Sequence, residues 1–311
     1  MIIQTGNRTD IPAFYSEWFA NRLKEGFVLV RNPFNPQSVT RYVLNPSVVD
    51  LIVFCSKNPA PMLQHMDLLA PYHQYWFVTI TPYGKDIEPN VPDKSAVMET
   101  FLRLSSIVGP DNMCWRYDPV FIDEAWPADR HIESFRSMCE VLAGSTATVV
   151  ISFIDLYEKV KRNFPEARTV PFRTQFALTQ AFVKIAEEYG MTVKPCGESK
   201  ELEKAGADCS GCMTQRTFEK AVGQNLILPV IPNNRRECAC CITGDIGAYN
   251  SCGHFCRYCY ANADRSAVIR SMQQHDPASP LLIGRLQDGD KISQPKQVSW
   301  IDSQMRLEDL I

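Results

Sequence analysis

Cys252, Cys256 and Cys259 stand in the string Cys252-Gly253-His254-Phe255-Cys256-Arg257-Tyr258-Cys259, a C-x3-C-x2-C spacing. Thiolates are the ligands of iron–sulfur clusters. Three of them this close predict three corners of one [4Fe–4S] cube, with the fourth iron left open to chelate a small molecule. A disulfide set or a zinc site are the other readings. Twelve cysteines in 311 residues fall short of a disulfide scaffold, and the opening Met-Ile-Ile-Gln-Thr-Gly-Asn-Arg carries no apolar export region. A reducing, cytoplasmic setting is therefore expected. Zinc favours separated pairs of thiols, and three thiols within eight residues leave it one ligand short.

Six further cysteines form a second constellation: Cys196, Cys209, Cys212, Cys238, Cys240 and Cys241. Cys209-Ser210-Gly211-Cys212 has C-x2-C spacing, and four of the six are enough for zinc or an auxiliary iron–sulfur cluster. Reduced thiols without metal are the alternative. Only Cys55, Cys114 and Cys139 precede these, so the cysteine content places a boundary near residue 197. It separates an α/β region, residues 1–197, from a cysteine-rich segment, residues 198–311.

The elements that must position these groups are legible as runs of β-branched and aromatic residues alternating with longer helix-compatible stretches. Strands are expected at 2–5, 27–31, 49–55, 75–81, 113–117, 148–153 and 192–196, and helices at 12–23, 61–69, 94–108, 129–142 and 174–189. This rhythm predicts a complete or partial TIM-type (β/α) barrel, with a doubly wound open sheet as the alternative. Polar residues gather where the expected strands end, the rim on which barrel enzymes place their chemistry: Arg8-Thr9-Asp10, Arg31-Asn32-Pro33, Ser56-Lys57-Asn58-Pro59, Thr79-Ile80-Thr81-Pro82, Arg116-Tyr117-Asp118-Pro119, Ser152 with Asp155, and Cys196-Gly197-Glu198. Arg116 suits a carboxylate or another anion, because its planar donors bind such groups well.

Composition narrows the partners. At 45% hydrophobic the chain can bury a large core, and no apolar run reaches the ~18 residues of a membrane span, so no membrane partner is expected. A net charge of −3 gives no global attraction to nucleic acid, although Arg235, Arg236, Arg257, Arg265 and Arg270 leave a local contact open.

The cysteine string is similar to the signature of the radical S-adenosylmethionine (radical SAM) superfamily, and the segments at Ser56 to Pro59, Val78 to Thr81 and Arg116 to Pro119 resemble strand ends of members related to spore photoproduct lyase. That resemblance implies a reduced cluster that cleaves SAM to a 5′-deoxyadenosyl radical, an unidentified substrate, and an electron donor such as flavodoxin or ferredoxin. It assigns Lys57 to the SAM carboxylate, Thr79 to a polar part of SAM, Tyr260 to the adenine, and Cys196, Cys212, Cys238 and Cys240 to the second metal. By the same likeness Cys55 or Cys114 would return hydrogen to a product radical. The chain departs from the superfamily in carrying the motif near its end. Either residues 246–250 are the first strand of a circularly permuted barrel, or the barrel starts at 2–5 and the C-terminal segment folds over its strand-end face; the complete strand–loop–helix unit at the start favours the second. The whole chain also resembles an uncharacterised bacterial family of unknown function, with residues 8–15 and 245–262 as its landmarks. A redox sensor holding iron–sulfur or zinc, and a radical SAM enzyme that repairs or modifies nucleic acid, are the competing functions.

Overall fold

The computed structural model describes residues 1–229, 240–241 and 244–302. Its strands are β1 (Ile2–Gln4), β2 (Phe27–Arg31), β3 (Ser38–Val43), β4 (Leu51–Ser56), β5 (Gln74–Thr79), β6 (Met113–Val120), β7 (Thr148–Phe153), β8 (Thr192–Pro195) and β9 (Lys291–Ser293). Its helices are α1 (Ile11–Phe14), α2 (Ser16–Glu25), α3 (Met66–Leu69), α4 (Lys94–Val108), α5 (Ala128–Leu142), α6 (Glu158–Asn163), α7 (Phe172–Glu188), α8 (Gln215–Val222) and α9 (Arg265–Gln273).

Six strands form one parallel sheet in the order β1-β4-β5-β6-β7-β8. Each crossover steps the same way along the sheet. Right-handed connections then put the intervening helices on one face, whereas a doubly wound sheet reverses its strand order. The sheet is an α/β fold, and among the described residues no pairing joins β8 back to β1.

Alternation along the strands divides the interior into two cores. Ile52, Phe54, Trp76, Val78, Trp115, Val149 and Ile151 point to the face covered by α2, α4, α5 and α7, where they meet Phe19, Phe101, Phe135 and Phe182. Leu51, Val53, Tyr75, Phe77, Cys114 and Val150 point the other way and are covered by Phe218, Ala221 and Val222 of α8. A parallel sheet needs both faces covered, and here the second cover comes from beyond residue 197.

One expectation needs correction. Residues 27–31 are a strand but not part of the main sheet: β2 pairs antiparallel with β3, which pairs in parallel with β9 in a separate three-stranded sheet. The Arg31-Asn32-Pro33 segment is therefore a hairpin end and not a seventh rim position. At the other edge, Asp245 pairs in parallel with Gln4, with Gln4 N donating to Gly244 O at 3.2 Å and Ile246 N to Gln4 O at 3.0 Å. Residues 244–246 thus add one isolated bridge outside β1, while residues 246–250, the first strand of the permuted reading, form no strand. The chain then runs from this edge directly to Cys252. Among the described residues, no helix is long and apolar enough to cross a membrane.

Candidate functional site

The C-terminal ends of the six parallel strands surround a cavity of about 470 Å3. Its lining brings together Cys55, Lys57, Thr79, Arg116, Cys196, Cys212, Cys240, Cys252, Cys256, Cys259 and Tyr260, residues far apart in sequence. Cys114 is not among them: it is fully buried on the α8 face, with its thiol 3.5 Å from Trp115 O. Cys238 lies outside the described residues.

The cysteine loop is fastened to the rim at several points. His254 Nε2 lies 2.8 Å from Asp10 Oδ2, and the same carboxylate oxygen accepts the Lys57 backbone N–H at 2.7 Å, while Oδ1 caps α1 through Ala13 N at 3.0 Å. Asp10 therefore joins β1, β4 and the cysteine loop. Asn90 Nδ2 donates to Gly253 O at 2.8 Å, Arg257 N to Ile87 O at 3.0 Å, and Tyr15 OH to Ser251 O at 2.6 Å. Inside the loop, Asn262 Nδ2 holds Cys252 O at 2.8 Å. Phe255 takes a positive φ of 56°, costly for a bulky residue and sustained here by these surrounding contacts. Gly253 is needed for space, since a Cβ there would stand 2.9 Å from the Phe14 ring.

Both rim cations already have partners. Lys57 Nζ donates at 2.8 Å to Glu88, a carboxylate with no solvent exposure that also accepts from Thr81 Oγ1 at 2.7 Å, from Lys94 and from the Tyr258 hydroxyl. Arg116 grips Asp118 through Nε at 3.1 Å and Nη2 at 2.6 Å, leaving Nη1 without a hydrogen bond to any described residue. Glu88, His254 and Asp10 as a group were not legible in the sequence, because their partners lie up to 244 residues away. Tyr260 is 43% exposed and donates to Asn7 O at 2.7 Å, whereas Tyr258, between the second and third cysteines, is buried.

Burial pushes the thiols of Cys252, Cys256 and Cys259 upward, opposed at Cys256 first by Lys57. Thiols this buried become thiolates only when a positive centre takes up their charge. Their type, number and shared cavity fit an iron–sulfur cluster. Cys55 is likewise pushed up by burial, to about 12, and stays a neutral S–H near neutral pH.

In the second set Cys212 Sγ lies 3.6 Å from Cys196 Sγ and 3.5 Å from Cys240 Sγ. Cys209 does not line the cavity, and Cys241 packs beside α8. Among the described residues, no three His, Cys, Asp or Glu side chains close around the position of a single ion.

The chain belongs to a family described as a domain of unknown function, DUF1848, which matches residues 2–261. That span runs without a break through residue 197 and ends just past Cys259, so both cysteine sets are family territory. No curated protein matches the chain.

Proposed function

We propose that this protein is a radical SAM enzyme of the spore-photoproduct-lyase-like kind, with a [4Fe–4S] cluster on Cys252, Cys256 and Cys259, and that its sheet is a partial (β/α) barrel. The observation that carries the reading is the single cavity shared by these three thiols with Lys57, Thr79, Arg116 and Tyr260 at the ends of parallel strands. When bound, the cluster would supply an open iron for SAM and the electron that breaks its carbon–sulfur bond.

The chain's own residues have separable tasks in this reading. Arg116 offers Nη1 to a carboxylate while Asp118 fixes its plane. Lys57, engaged by Glu88, contributes charge more than a free donor. Thr79 at the end of β5 supplies a hydroxyl, and Tyr260 a ring at the cavity's open side. Of the two expected hydrogen donors the geometry favours Cys55, which lines the cavity as a neutral thiol, over Cys114, which does not. For Cys196, Cys212 and Cys240, with Cys238 as the fourth ligand expected from the sequence, we propose a second metal site, zinc or an auxiliary iron–sulfur cluster; its support is that Cys212 Sγ stands 3.6 Å from Cys196 Sγ and 3.5 Å from Cys240 Sγ, and its side chains would have to turn to close on the metal.

Anaerobic reconstitution tests the reading. The expected results are a cubane electron-paramagnetic signal after reduction that responds to SAM, slow formation of 5′-deoxyadenosine, and loss of both when the three motif cysteines are replaced by Ala. A loaded, reduced protein that binds no SAM would point to electron transfer or sensing instead.

A further inference from the structure

Residues 87–90 form a clip over the cysteine loop. Ile87 O accepts Arg257 N at 3.0 Å, Asn90 N donates to His254 O at 3.1 Å, and Asn90 Nδ2 donates to Gly253 O at 2.8 Å. At its centre the buried Glu88 carboxylate accepts four side-chain donors: Lys57, Thr81 and Tyr258 on Oε1, Lys94 on Oε2. Only one of these, Tyr258, belongs to the cysteine loop, and it stands between Cys256 and Cys259. Two ammonium groups against one carboxylate leave a net single positive charge where solvent screening is weak, since Glu88 is unexposed and Lys57 and Lys94 are 14% and 21% exposed. Lys57 lines the same cavity as Cys256, and its Nζ lies 5.4 Å from the centre of the Tyr258 ring between Cys256 and Cys259, so that charge sits beside the cysteine loop.

We propose that Glu88 is a positioning residue with two effects: through Tyr258 it fixes the loop between Cys256 and Cys259, and with Lys57 and Lys94 it holds a buried unit of positive charge that makes the bound cluster easier to reduce. The inference rests on the cluster reading above. Reduction adds one negative charge to a cluster, and the potential of such a centre follows the local net charge. In a poorly screened site one unit of charge a few ångströms away is a leading influence on it. The two kinds of charge substitution must therefore act in opposite directions. Glu88→Gln leaves two unopposed ammonium groups and raises the potential; Lys94→Met cancels the net charge and lowers it. A purely structural role for the same residues gives no such reversal of sign.

The test combines a redox titration of reconstituted protein with thiol labelling of the metal-free chain. Glu88→Gln is expected to move the cluster's midpoint upward and Lys94→Met downward. Each shift should be about a tenfold change in the reduced-to-oxidised ratio at fixed potential, which is about 59 mV for one electron. Lys94 is the most exposed member of the group, so its variant carries the sign even if Glu88→Gln folds poorly. In metal-free protein, Tyr258→Phe should speed iodoacetamide labelling of Cys256 several-fold while the buried Cys139 stays unreactive. Shifts of the same sign, or no shift, with a normally loaded cluster overturn the charge effect, and unchanged labelling overturns the tether. A wild type that assembles no cluster overturns the functional reading and the charge effect together, and the labelling still decides the tether.

Discussion

Gly6 meets β4 so closely that an added Cβ would stand 2.3 Å from Cys55 Cβ and 2.5 Å from Cys55 O. Neither atom is the far end of a flexible side chain, so relief requires moving the strand that carries Ser56 and Lys57 into the cavity. Overpacking of this kind costs about 1–3 kcal/mol. Gly6→Ala is therefore expected to lower the thermal unfolding midpoint and, in the proposed radical SAM reading, to weaken SAM binding by displacing Lys57. An unchanged midpoint would mean that β4 yields there. The Arg116–Asp118 pair allows a second prediction at this scale. Each side chain is 14% exposed, so removing one leaves its partner mostly desolvated. Arg116→Ala should cost about 1–3 kcal/mol by denaturant unfolding, and Arg116→Ala with Asp118→Ala should cost less than the sum of the two single variants. Strict additivity would reject the pairing. Arg116→Lys keeps the charge but loses the two-pronged grip on Asp118, so in the proposed radical SAM reading it should recover only part of the SAM affinity lost in Arg116→Ala.

The seam between β6 and α5 contains His131, with Nδ1 2.9 Å from Tyr117 OH and Nε2 2.8 Å from Phe121 O. Burial pushes its pKa down to about 4, with the carbonyl of Phe121 working weakly against it. The unfolded chain, with an ordinary histidine near 6.5, then binds more protons than the folded one between those values. Stability is fully present above about pH 6.5 and declines as pH falls toward 4, by about 3 kcal/mol in the limit. From about pH 4.5 downward Glu88 adds its own loss: burial pushes its pKa up, but Lys57 and Lys94 outweigh it and hold it down to about 2, so its share is lost as pH falls from about 4.5 toward 2. Glu198, pushed up to about 7 by burial, works in the opposite direction over the same range, so the His131 share is read as the difference between wild type and His131→Gln in urea unfolding from pH 7 to 4; identical slopes would assign the effect elsewhere.

Elements were legible in the sequence where burial on both faces wrote continuous apolar runs, as in Leu-Ile-Val-Phe of β4 and Thr-Val-Val-Ile of β7. Topology was less so. The run at 27–31 reads like its neighbours, but residues 32–37 are too few for a parallel crossover, which takes a dozen or more, and the alternating Ser-Val-Thr-Arg-Tyr-Val after them is the return arm of a hairpin. The three cysteines proposed to hold the cluster were legible as a set because they lie within eight residues of one another. Glu88 announced nothing, since its loop has no periodic pattern and its contact with Tyr258 spans 170 residues.

At the scale of the whole molecule, the cysteine content that marks residue 197 does not mark an edge of the core. Phe218 and Val222 of α8, with Leu226 after them, cover Ile2, Leu51, Val53, Tyr75 and Phe77 on the second face of the sheet. Residues 244–246 continue the sheet beyond β1, and Asp50, just ahead of β4, accepts from Ser299 Oγ at 2.5 Å and Trp300 N at 2.8 Å. Segments from both sides of residue 197 thus supply alternate layers of one interior. A fragment of residues 1–197 would place five large apolar side chains of a parallel sheet in water, an arrangement such sheets do not sustain, and would leave Gln4 with an unpaired edge. The fragment is therefore expected to lack a cooperative urea transition and to bind a hydrophobic dye such as ANS, as loosely packed states do. Residues 1–302, which keep α8, the 244–246 edge and the Asp50 contacts, should unfold in a single transition with a steeper dependence on urea, because more surface is exposed at once. A monomeric 1–197 fragment with a sharp transition and no dye binding would show that the first segment is a domain in its own right and that α8 is an accessory to it.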